Sequence, residues 1–369
     1  MNITPQPRFP PTSERSEPFR AGTSRRGYAQ RLIGQVQALC ASWLELPLQS
    51  CLMDAEQRLF ERAWQDPDYI EQQACTTARR CLQSHREQLE QRFAAQMIQR
   101  FERLGSSVDK DAPGAPSQST TLSLVASGED DERALLDQIH ARSEARHASL
   151  LFELGYRLGV LAGHAPLAGE QLPLSTQAMS RTFIDTLHEQ ALPTPQRVLS
   201  LQAFDHTIVH ELASLYETIN QHLMDAGILP HLRAYRVARP GDPRGPGATE
   251  GGAVEQRRAQ RKHANHAVAV ADLVHGGSLG RLGNLSAGGL LLIGPLPPAS
   301  GAIYQVSVAL PDLRPDHAST AVIELGIQEQ WQDATAAIGQ IWSGFRIISI
   351  SPADAALLEA WLALPGGQG

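Results

Sequence analysis

Aromatic residues, cysteines and long apolar runs are all scarce in this sequence. Only 5% of its 369 residues are Phe, Trp or Tyr, and only four are Cys. Four cysteines do not form a disulfide framework in a chain of this length, so we expect free thiols and a reducing compartment. The N-terminus lacks the apolar core of a signal peptide, and no apolar run approaches the ~20 residues of a membrane span. We therefore expect a cytoplasmic protein with no membrane span.

An excess of positive charge is missing as well. The formal net charge of −7 at pH 7 argues against nucleic acid or a membrane surface as a partner, because proteins that bind these usually carry surplus Lys and Arg. From Glu255 to the end of the chain, however, four of the seven Lys and Arg residues fall between Arg257 and Lys262. Such a concentrated cluster is typical of a site for a small anion.

Most of the first 235 residues are predicted to be helical. After a disordered arm at residues 1–27, apolar residues recur every three or four positions in residues 28–110 and 121–235, with a loop at 111–120 between them. A short separate helix is expected at residues 54–63. The cleanest stripe runs from Leu201 to Leu223 and predicts one long helix, with Thr194 as its cap and Pro195 as its first helical residue.

The pattern changes after residue 235. Residues 236–254 are rich in Gly and Pro and predict a flexible linker. Beyond it the apolar residues alternate with a period near two and predict strands at 266–273, 290–293, 304–310, 320–331 and 338–348, with a turn at 276–280. Short strands with Gly- and Pro-rich turns favour a small β-barrel, and Ser351-Pro352 predicts a capped final helix.

Two parts of the segment 257–289 carry residue types that together suit a nucleotide. Arg257 and Arg261 each offer a planar fork of donors that fits phosphate oxygens, and each plane can stack on a base. Asn284 follows 23 residues after Arg261, and with Ser286 it supplies an amide and a hydroxyl for a base edge. The neighbouring glycines allow close approach of the backbone to a ligand. This combination predicts recognition of phosphate and base together.

The pattern Arg257-x-x-x-Arg261, followed by Asn284-x-Ser286-x-x-Gly289, resembles the two-part signature of the PilZ domain, a bacterial receptor for cyclic di-GMP. The segment 344–347, Gly-Phe-Arg-Ile, is similar to the closing strand of that family, and Trp331 stands at the predicted end of the strand before it. The resemblance covers about residues 255 to 362. It implies a six-stranded antiparallel β-barrel with a C-terminal helix, here residues 255–365, and an α+β multidomain protein overall.

The resemblance also implies a role for each motif residue. Arg257 and Arg261 would hold phosphates and stack on guanine, and Arg258 would add a phosphate contact. The second motif would contact guanine or shape its pocket through Asn284, Ser286, Gly288 and Gly289. The family often has Asp at the position of Asn284, which changes one acceptor pattern and leaves hydrogen bonding possible. The expected ligand is cyclic di-GMP, with no metal, no other cofactor and no catalytic residue.

The helical half resembles a bacterial protein family of unknown function in the stretches 51–60, 121–125 and 215–223. Members of that family are usually much longer, so we expect a shortened version joined to a PilZ domain. The family supplies no activity. Together the two resemblances imply a non-enzymatic effector, which couples cyclic di-GMP binding to the helical half or to an unidentified protein partner.

Two alternatives stay open at this point. One is a protein-interaction module of PilZ type that binds no ligand. The other is a metal-dependent hydrolase in the helical half, because His206 and His210 are four residues apart on a predicted helix. These two histidines lie away from the apolar stripe, which favours a solvated face, and Cys75, Cys81 and His85 match no zinc-binding spacing.

Overall fold

The computed structural model describes residues 26–106, 127–232, 262–263, 268–310, 321–337 and 340–364. Most of the predicted arm, the loop at 111–120 and the linker at 236–254 lie outside these residues. So do Arg257, Arg258 and Arg261. The arm is predicted to extend to residue 27, but Arg26 and Gly27 already belong to the first helix.

The described part of the N-terminal half contains six α-helices, which confirms its predicted class. They are α1 Arg26–Gln65, α2 Tyr69–Ser106, α3 Ser127–Ala162, α4 Thr176–Glu189, α5 Thr194–Phe204 and α6 His210–Asp225. Their apolar faces meet in one core. Among these helices and the rest of the described chain, no helix has the length and hydropathy needed to cross a membrane.

The first helix is longer than the sequence predicts. Residues 54–63 are predicted as a separate helix, but α1 runs without a break through Pro47 to Gln65. Proline lacks the N–H group and therefore removes one hydrogen bond from the helix interior. Leu44, Leu48 and Leu52 are all buried on either side of it. Packing of this continuous apolar face holds the helix together across the proline.

The predicted long helix from Leu201 to Leu223 is interrupted. After α5 ends at Phe204, residues Asp205–Val209 form a π-helical turn before α6 begins. Phe204, Ile208 and Leu212 are nonetheless all buried at a spacing of four. Because a single π turn changes the hydrogen-bond pattern over only a few residues, the spacing of apolar residues does not reveal it.

The two predicted helix caps have different outcomes. The final helix, α7 Pro352–Ala363, is capped as expected by Ser351, whose hydroxyl oxygen accepts a hydrogen bond from the Asp354 N–H at 3.0 Å. Thr194 is instead the first residue of α5, and Pro193 occupies the cap position. The Thr194 hydroxyl accepts a hydrogen bond from the Arg197 guanidinium at 3.0 Å, so it serves a side chain rather than the helix end.

The C-terminal half is a closed β-barrel. Its described strands are β1 Lys262–His263, β2 Ala269–Asp272, β3 Ser278–Leu285, β4 Gly289–Gly294, β5 Ile303–Leu310, β6 Ala321–Ala337 and β7 Gln340–Ile350. The order is β1-β3-β2-β5-β6-β7-β4, and β3 also pairs with β4. Six antiparallel strands therefore close on themselves, with β1 as a short addition on β3. The predicted fold class is confirmed.

Strand β3 is missing from the sequence-based assignment. The sequence predicts a turn at residues 276–280, but Ser278 already begins β3. Gly280 has a φ of 147°, and a Cβ atom there would lie 2.7 Å from the Ile293 carbonyl oxygen of β4. Glycine in a strand often marks such a close backbone approach. The same glycine removes the apolar alternation by which a strand is recognised.

Strand β6 extends beyond its predicted end at Trp331. It continues to Ala337 and then pairs back onto β7. The Trp331 ring lies over Gly344 of β7, where a Cβ atom would collide with the indole. The Trp331–Gly344 pair therefore lies within the β6–β7 hairpin and does not mark the end of a strand.

The barrel has its own apolar core, and three other residues of the barrel belong to the core of the helical half. Val274, Ile303 and Ile348 of the barrel are buried among residues of the helical half. Gly326 of β6 also forms part of this contact, because a Cβ atom there would collide with the Leu229 side chain that follows α6. Apolar contacts therefore join the two halves directly.

A buried glutamine fixes the barrel against the end of α6. Gln305 of β5 is 8% exposed, and its amide nitrogen donates to the Gly227 carbonyl at 2.8 Å. Its amide oxygen accepts from the Leu229 N–H at 3.2 Å. One side chain therefore satisfies two backbone groups of the helical half.

Two further hydrogen bonds join the barrel to the end of α3. The Ile303 N–H donates to the His164 carbonyl at 3.1 Å. The His275 ring has Nδ1 3.3 Å from the Asp272 carboxylate and Nε2 3.2 Å from the Leu161 carbonyl. Since both acceptors face ring nitrogens, the imidazole bridges the barrel and the helix. Directional bonds therefore accompany the apolar packing.

We expect Gln305→Met to lower the free energy of unfolding by about 2 kcal/mol or more. Methionine retains much of the side-chain volume, but the two backbone groups lose their partner, and each unsatisfied buried group costs about 1–3 kcal/mol. Urea unfolding followed by circular dichroism measures the change. Gln332→Met, at an exposed position of β6, is the matched control. Equal losses in both variants would contradict a specific role for the Gln305 amide.

Candidate ligand-binding site

The turn between β3 and β4 brings together the residues of the second sequence motif. The Ser286 N–H and hydroxyl both donate to the Gly289 carbonyl, at 2.8 and 2.9 Å. The same hydroxyl oxygen accepts from the Gly289 N–H at 3.2 Å. Ser286 is only 7% exposed. Its side chain therefore fixes the shape of the turn.

The two glycines of this turn differ in what surrounds them. A Cβ atom on Gly289 would collide with the Phe345 carbonyl oxygen of β7. The Gly288 carbonyl accepts from the Ile347 N–H at 3.0 Å, yet a Cβ atom on Gly288 would meet no atom within 4 Å. Gly289 is therefore required by the packing of two strands, and Gly288 leaves one side of the turn open.

Asn284 lies beside an irregularity in the β3–β4 ladder. The register shifts between Leu282 and Asn284, which is the signature of a β-bulge at Gly283. Bulges often re-aim a side chain next to a functional site. Asn284 is half-buried, and on its other side it pairs with His263 of β1. The predicted base-contacting amide therefore stands at the junction of three strands.

The chain enters the barrel next to the same turn. Lys262 pairs with Leu285, and its ammonium donates to the carbonyl oxygens of Trp361 at 2.8 Å and Leu364 at 3.2 Å. The same ammonium lies 4.6 Å from the centre of the Trp361 ring. A cation is stabilised both by the end of a helix and by an aromatic face. Lys262, counted in the basic cluster by sequence, thus anchors the entering chain to α7.

A polar chain connects the turn to the helical half. In the β4–β7 ladder Gly289 pairs with Arg346, whose guanidinium donates to the Gln328 side-chain oxygen at 3.0 Å. Burial raises the pKa of Tyr156 in α3, and the charge of Arg346 and a hydrogen bond with Gln328 oppose that rise. Arg346 belongs to the segment that resembles the PilZ closing strand. Gln328 and Tyr156 carry no motif, so sequence analysis misses them.

The residues considered for a metal site do not form one. His206 is exposed and lies 3.5 Å from the Asp54 carboxylate, and His210 is exposed too, which confirms the predicted solvated face. Cys81 contacts His85 at 3.7 Å. Among the described residues, no group of three or more His, Cys, Asp or Glu side chains could hold a metal ion. The hydrolase alternative gains no support from that part of the chain.

Comparison with known proteins identifies the helical half. A family model described as "Protein of unknown function (DUF1631) N-terminal domain" matches residues 28–227. A solved structure, that of the Bacillus subtilis inhibitor of motility (MotI/DgrA), is 18% identical and the match covers 29% of this chain, with a TM-score of 0.25. The match spans about half of that protein, 49% of its chain. This score does not establish a common fold. No curated protein matches the chain.

The two glycines provide a paired test of the turn. We expect Gly289→Ala to lower the free energy of unfolding by about 1–3 kcal/mol, because the added methyl group overpacks the contact with β7. Gly288→Ala, with open space around it, is expected to change stability by less than about 0.5 kcal/mol. Urea unfolding of both variants measures the difference. Similar effects at both positions would contradict the arrangement of the turn.

Proposed function

We propose that the chain, which belongs to the DUF1631 family of proteins of unknown function, is a cyclic di-GMP effector. In this proposal the barrel binds the nucleotide and transmits the binding to the helical half or to a protein partner. The chain acts by binding rather than by catalysis. The family is one of unknown function, so the ligand is inferred from the barrel.

One observation carries the proposal. The two parts of the PilZ-like motif are 23 residues apart in sequence. In the barrel, the residue that follows the first part lies beside the second part. Lys262, which is covalently bonded to Arg261, pairs directly with Leu285 at the start of the turn. The described chain therefore re-enters the barrel at Lys262, the residue after Arg261, beside the amide, hydroxyl and glycines of the second motif. This proximity supports a single site formed by the two motifs.

The chemistry of the two motifs is complementary to this nucleotide. Cyclic di-GMP presents two phosphates and two guanines. Guanidinium forks match phosphate oxygens and stack on bases, a role we assign to Arg257 and Arg261. The half-buried Asn284 amide offers a donor and an acceptor to a guanine edge. The hydrogen bonds within the turn hold that edge of the site in a fixed shape, which reduces the ordering needed on binding.

We further propose that the signal passes through the polar chain described above. A ligand seated on the turn contacts the residues around Gly289, and Gly289 is paired with Arg346. Arg346 contacts Gln328, and both influence Tyr156 of α3. Ligand binding can shift the helical half only through contacts that differ between the free and bound states. The contacts that we propose to differ are those of Arg346, Gln328 and Tyr156, which lie where the two halves meet.

Calorimetric titration of the full chain with cyclic di-GMP tests the ligand. We expect a dissociation constant in the micromolar range or lower, with the guanidinium group of Arg257, Arg261 or both bound to phosphate. The double variant Arg257→Ala, Arg261→Ala is expected to weaken binding by about 100-fold or more, because two charge-assisted contacts at about 1.5–3 kcal/mol each are lost.

The control for this titration is Arg281→Ala. Arg281 is an exposed arginine of β3 in the same barrel, so its loss changes the net charge without touching either motif. We expect its affinity to stay within about threefold of the original, since isolated surface charges contribute little. Absence of binding by the unaltered chain, or equal weakening by Arg281→Ala, would refute the ligand assignment.

Hydrogen exchange tests the proposed coupling. We expect cyclic di-GMP to change the exchange rates of backbone amides in α3, and Tyr156→Phe to reduce that change because the hydroxyl no longer meets Gln328. The control is Tyr69→Phe, at an exposed tyrosine in the first turn of α2. If ligand-induced changes in α3 persist unaltered in Tyr156→Phe, the route through Tyr156 is wrong.

A further inference from the structure

A second potential binding site is a surface cavity of the helical half, lined in large part by exposed side chains such as Arg142 and Arg146. A cavity of about 350 Å³ opens where α1, α3 and the π-helical turn meet. Its lining includes three arginines and three histidines: Arg58, Arg142, Arg146, His147, His206 and His210. Cavities of this size are in the range that holds small ligands. The concentration of cationic and potentially cationic side chains favours an anion.

Two irregular backbone segments border this cavity. His147 interrupts α3 with a φ of −111° and a ψ of 15°, and Asp205–Val209 forms the π-helical turn. π-helical turns occur frequently at functional sites, and sparsely populated backbone conformations persist where the surroundings hold them. Both irregularities place residues in the cavity lining. Two separate distortions thus converge on one space.

His147 provides an independent indication of a ligand. It is 4% exposed, and its ring packs edge-on against Tyr216 with a centroid distance of 5.5 Å. Its Nε2 atom is buried and has no hydrogen-bond partner among the described residues. Burial, and to a lesser degree the charge of Arg146, lower the pKa of His147. A neutral imidazole with its proton on Nε2 can donate one hydrogen bond to a ligand oxygen.

The charges around the cavity leave one cation in excess. Arg142 pairs with Asp205 at 2.6 Å and Arg58 pairs with Asp54 at 2.9 Å. Within the part of the chain that the structure describes, no carboxylate forms an ion pair with Arg146. Arg146 and Arg142 are four residues apart on α3, and neighbours at this spacing share a helix face. A negative charge between them would be stabilised by both.

We propose that this cavity binds a small phosphate-bearing anion, held by Arg142 and Arg146 and by a hydrogen bond from His147 Nε2. A carboxylate group presents two oxygens in one plane and suits a single guanidinium fork. A phosphate group presents three or more acceptor oxygens around its centre, so donors can reach it from several directions. Arg142 and Arg146 offer charged guanidinium donors, and His147 offers one neutral N–H donor. This site is separate from the barrel and does not depend on cyclic di-GMP.

Titration with pyrophosphate tests the proposal in a background that removes the barrel arginines. The full chain carrying Arg257→Ala and Arg261→Ala is titrated at constant ionic strength, and we expect saturable binding. Adding Arg146→Gln is expected to weaken this binding by about tenfold or more, because one charge-assisted contact is lost. Adding Arg133→Gln instead removes an exposed arginine from the same helix, and affinity should remain within about twofold.

His147→Phe provides a second variant with two opposite expectations. Phenylalanine keeps an aromatic ring against Tyr216 and removes the buried nitrogen. Unfolding in urea without pyrophosphate should need the same or a higher urea concentration than in the parent chain. The increase in that concentration caused by pyrophosphate should be lost. A simple packing role for His147 would instead leave the pyrophosphate effect intact.

Three outcomes overturn the proposal. One is no pyrophosphate binding in the parent chain. Another is equal weakening by Arg146→Gln and Arg133→Gln, which would indicate general charge attraction. The third is citrate binding as tightly as pyrophosphate, which would assign the site to carboxylates. Because the barrel arginines are absent from every sample, failure here leaves the cyclic di-GMP proposal to be judged by its own titration.

Discussion

The structure depends on how two helices end. The last carbonyl groups of a helix have no partner within it and must find donors elsewhere. The Leu161 carbonyl in the last turn of α3 meets the His275 ring of the barrel. The carbonyls of His164 and Gly227, just beyond α3 and α6, accept from the Ile303 N–H and the Gln305 amide of the barrel. Val274, Ile303 and Ile348 fill the apolar space around these bonds. These hydrogen bonds and apolar contacts therefore fix the barrel against the ends of α3 and α6.

This docking gives the candidate nucleotide site a fixed relation to the helical half. Ser286 closes the β3–β4 turn on itself, and Gly289 holds that turn against β7. From β7, Arg346 reaches Gln328 on the neighbouring strand. The turn is therefore connected to residues near α3 through contacts within the barrel, and the proposed coupling rests on these contacts.

The sequence predicts the helical half and the barrel because their apolar periods of about 3.6 and 2 differ clearly. It misses β3 because Gly280 and Gly283 replace the alternating side chains with close backbone contacts. It misses the π-helical turn because Phe204, Ile208 and Leu212 keep a helical spacing. The motif identifies Asn284, Ser286 and Gly289 as a group. The motif does not show that the Ser286 hydroxyl forms hydrogen bonds within the turn. That use depends on the pairing register of β3 and β4, which the motif does not encode.

The cavity of the helical half was beyond sequence analysis for a related reason. Arg58, Arg146 and His210 come from segments far apart in the chain, and none belongs to a recognisable short pattern. Their proximity depends on how α1, α3 and α6 pack. The histidine spacing of four was visible, but it suggested a metal. The arginines that line the same cavity favour an anion over a metal ion.

The pairing of β4 with β7 has a consequence for the order in which the protein forms. Gly289 meets Arg346 only after β7 has been synthesised, whereas α1 to α6 are complete well before that. Domains generally fold as units with the N-terminal one first during synthesis. The apolar surface around the ends of α3 and α6 must therefore remain exposed during synthesis until the barrel closes.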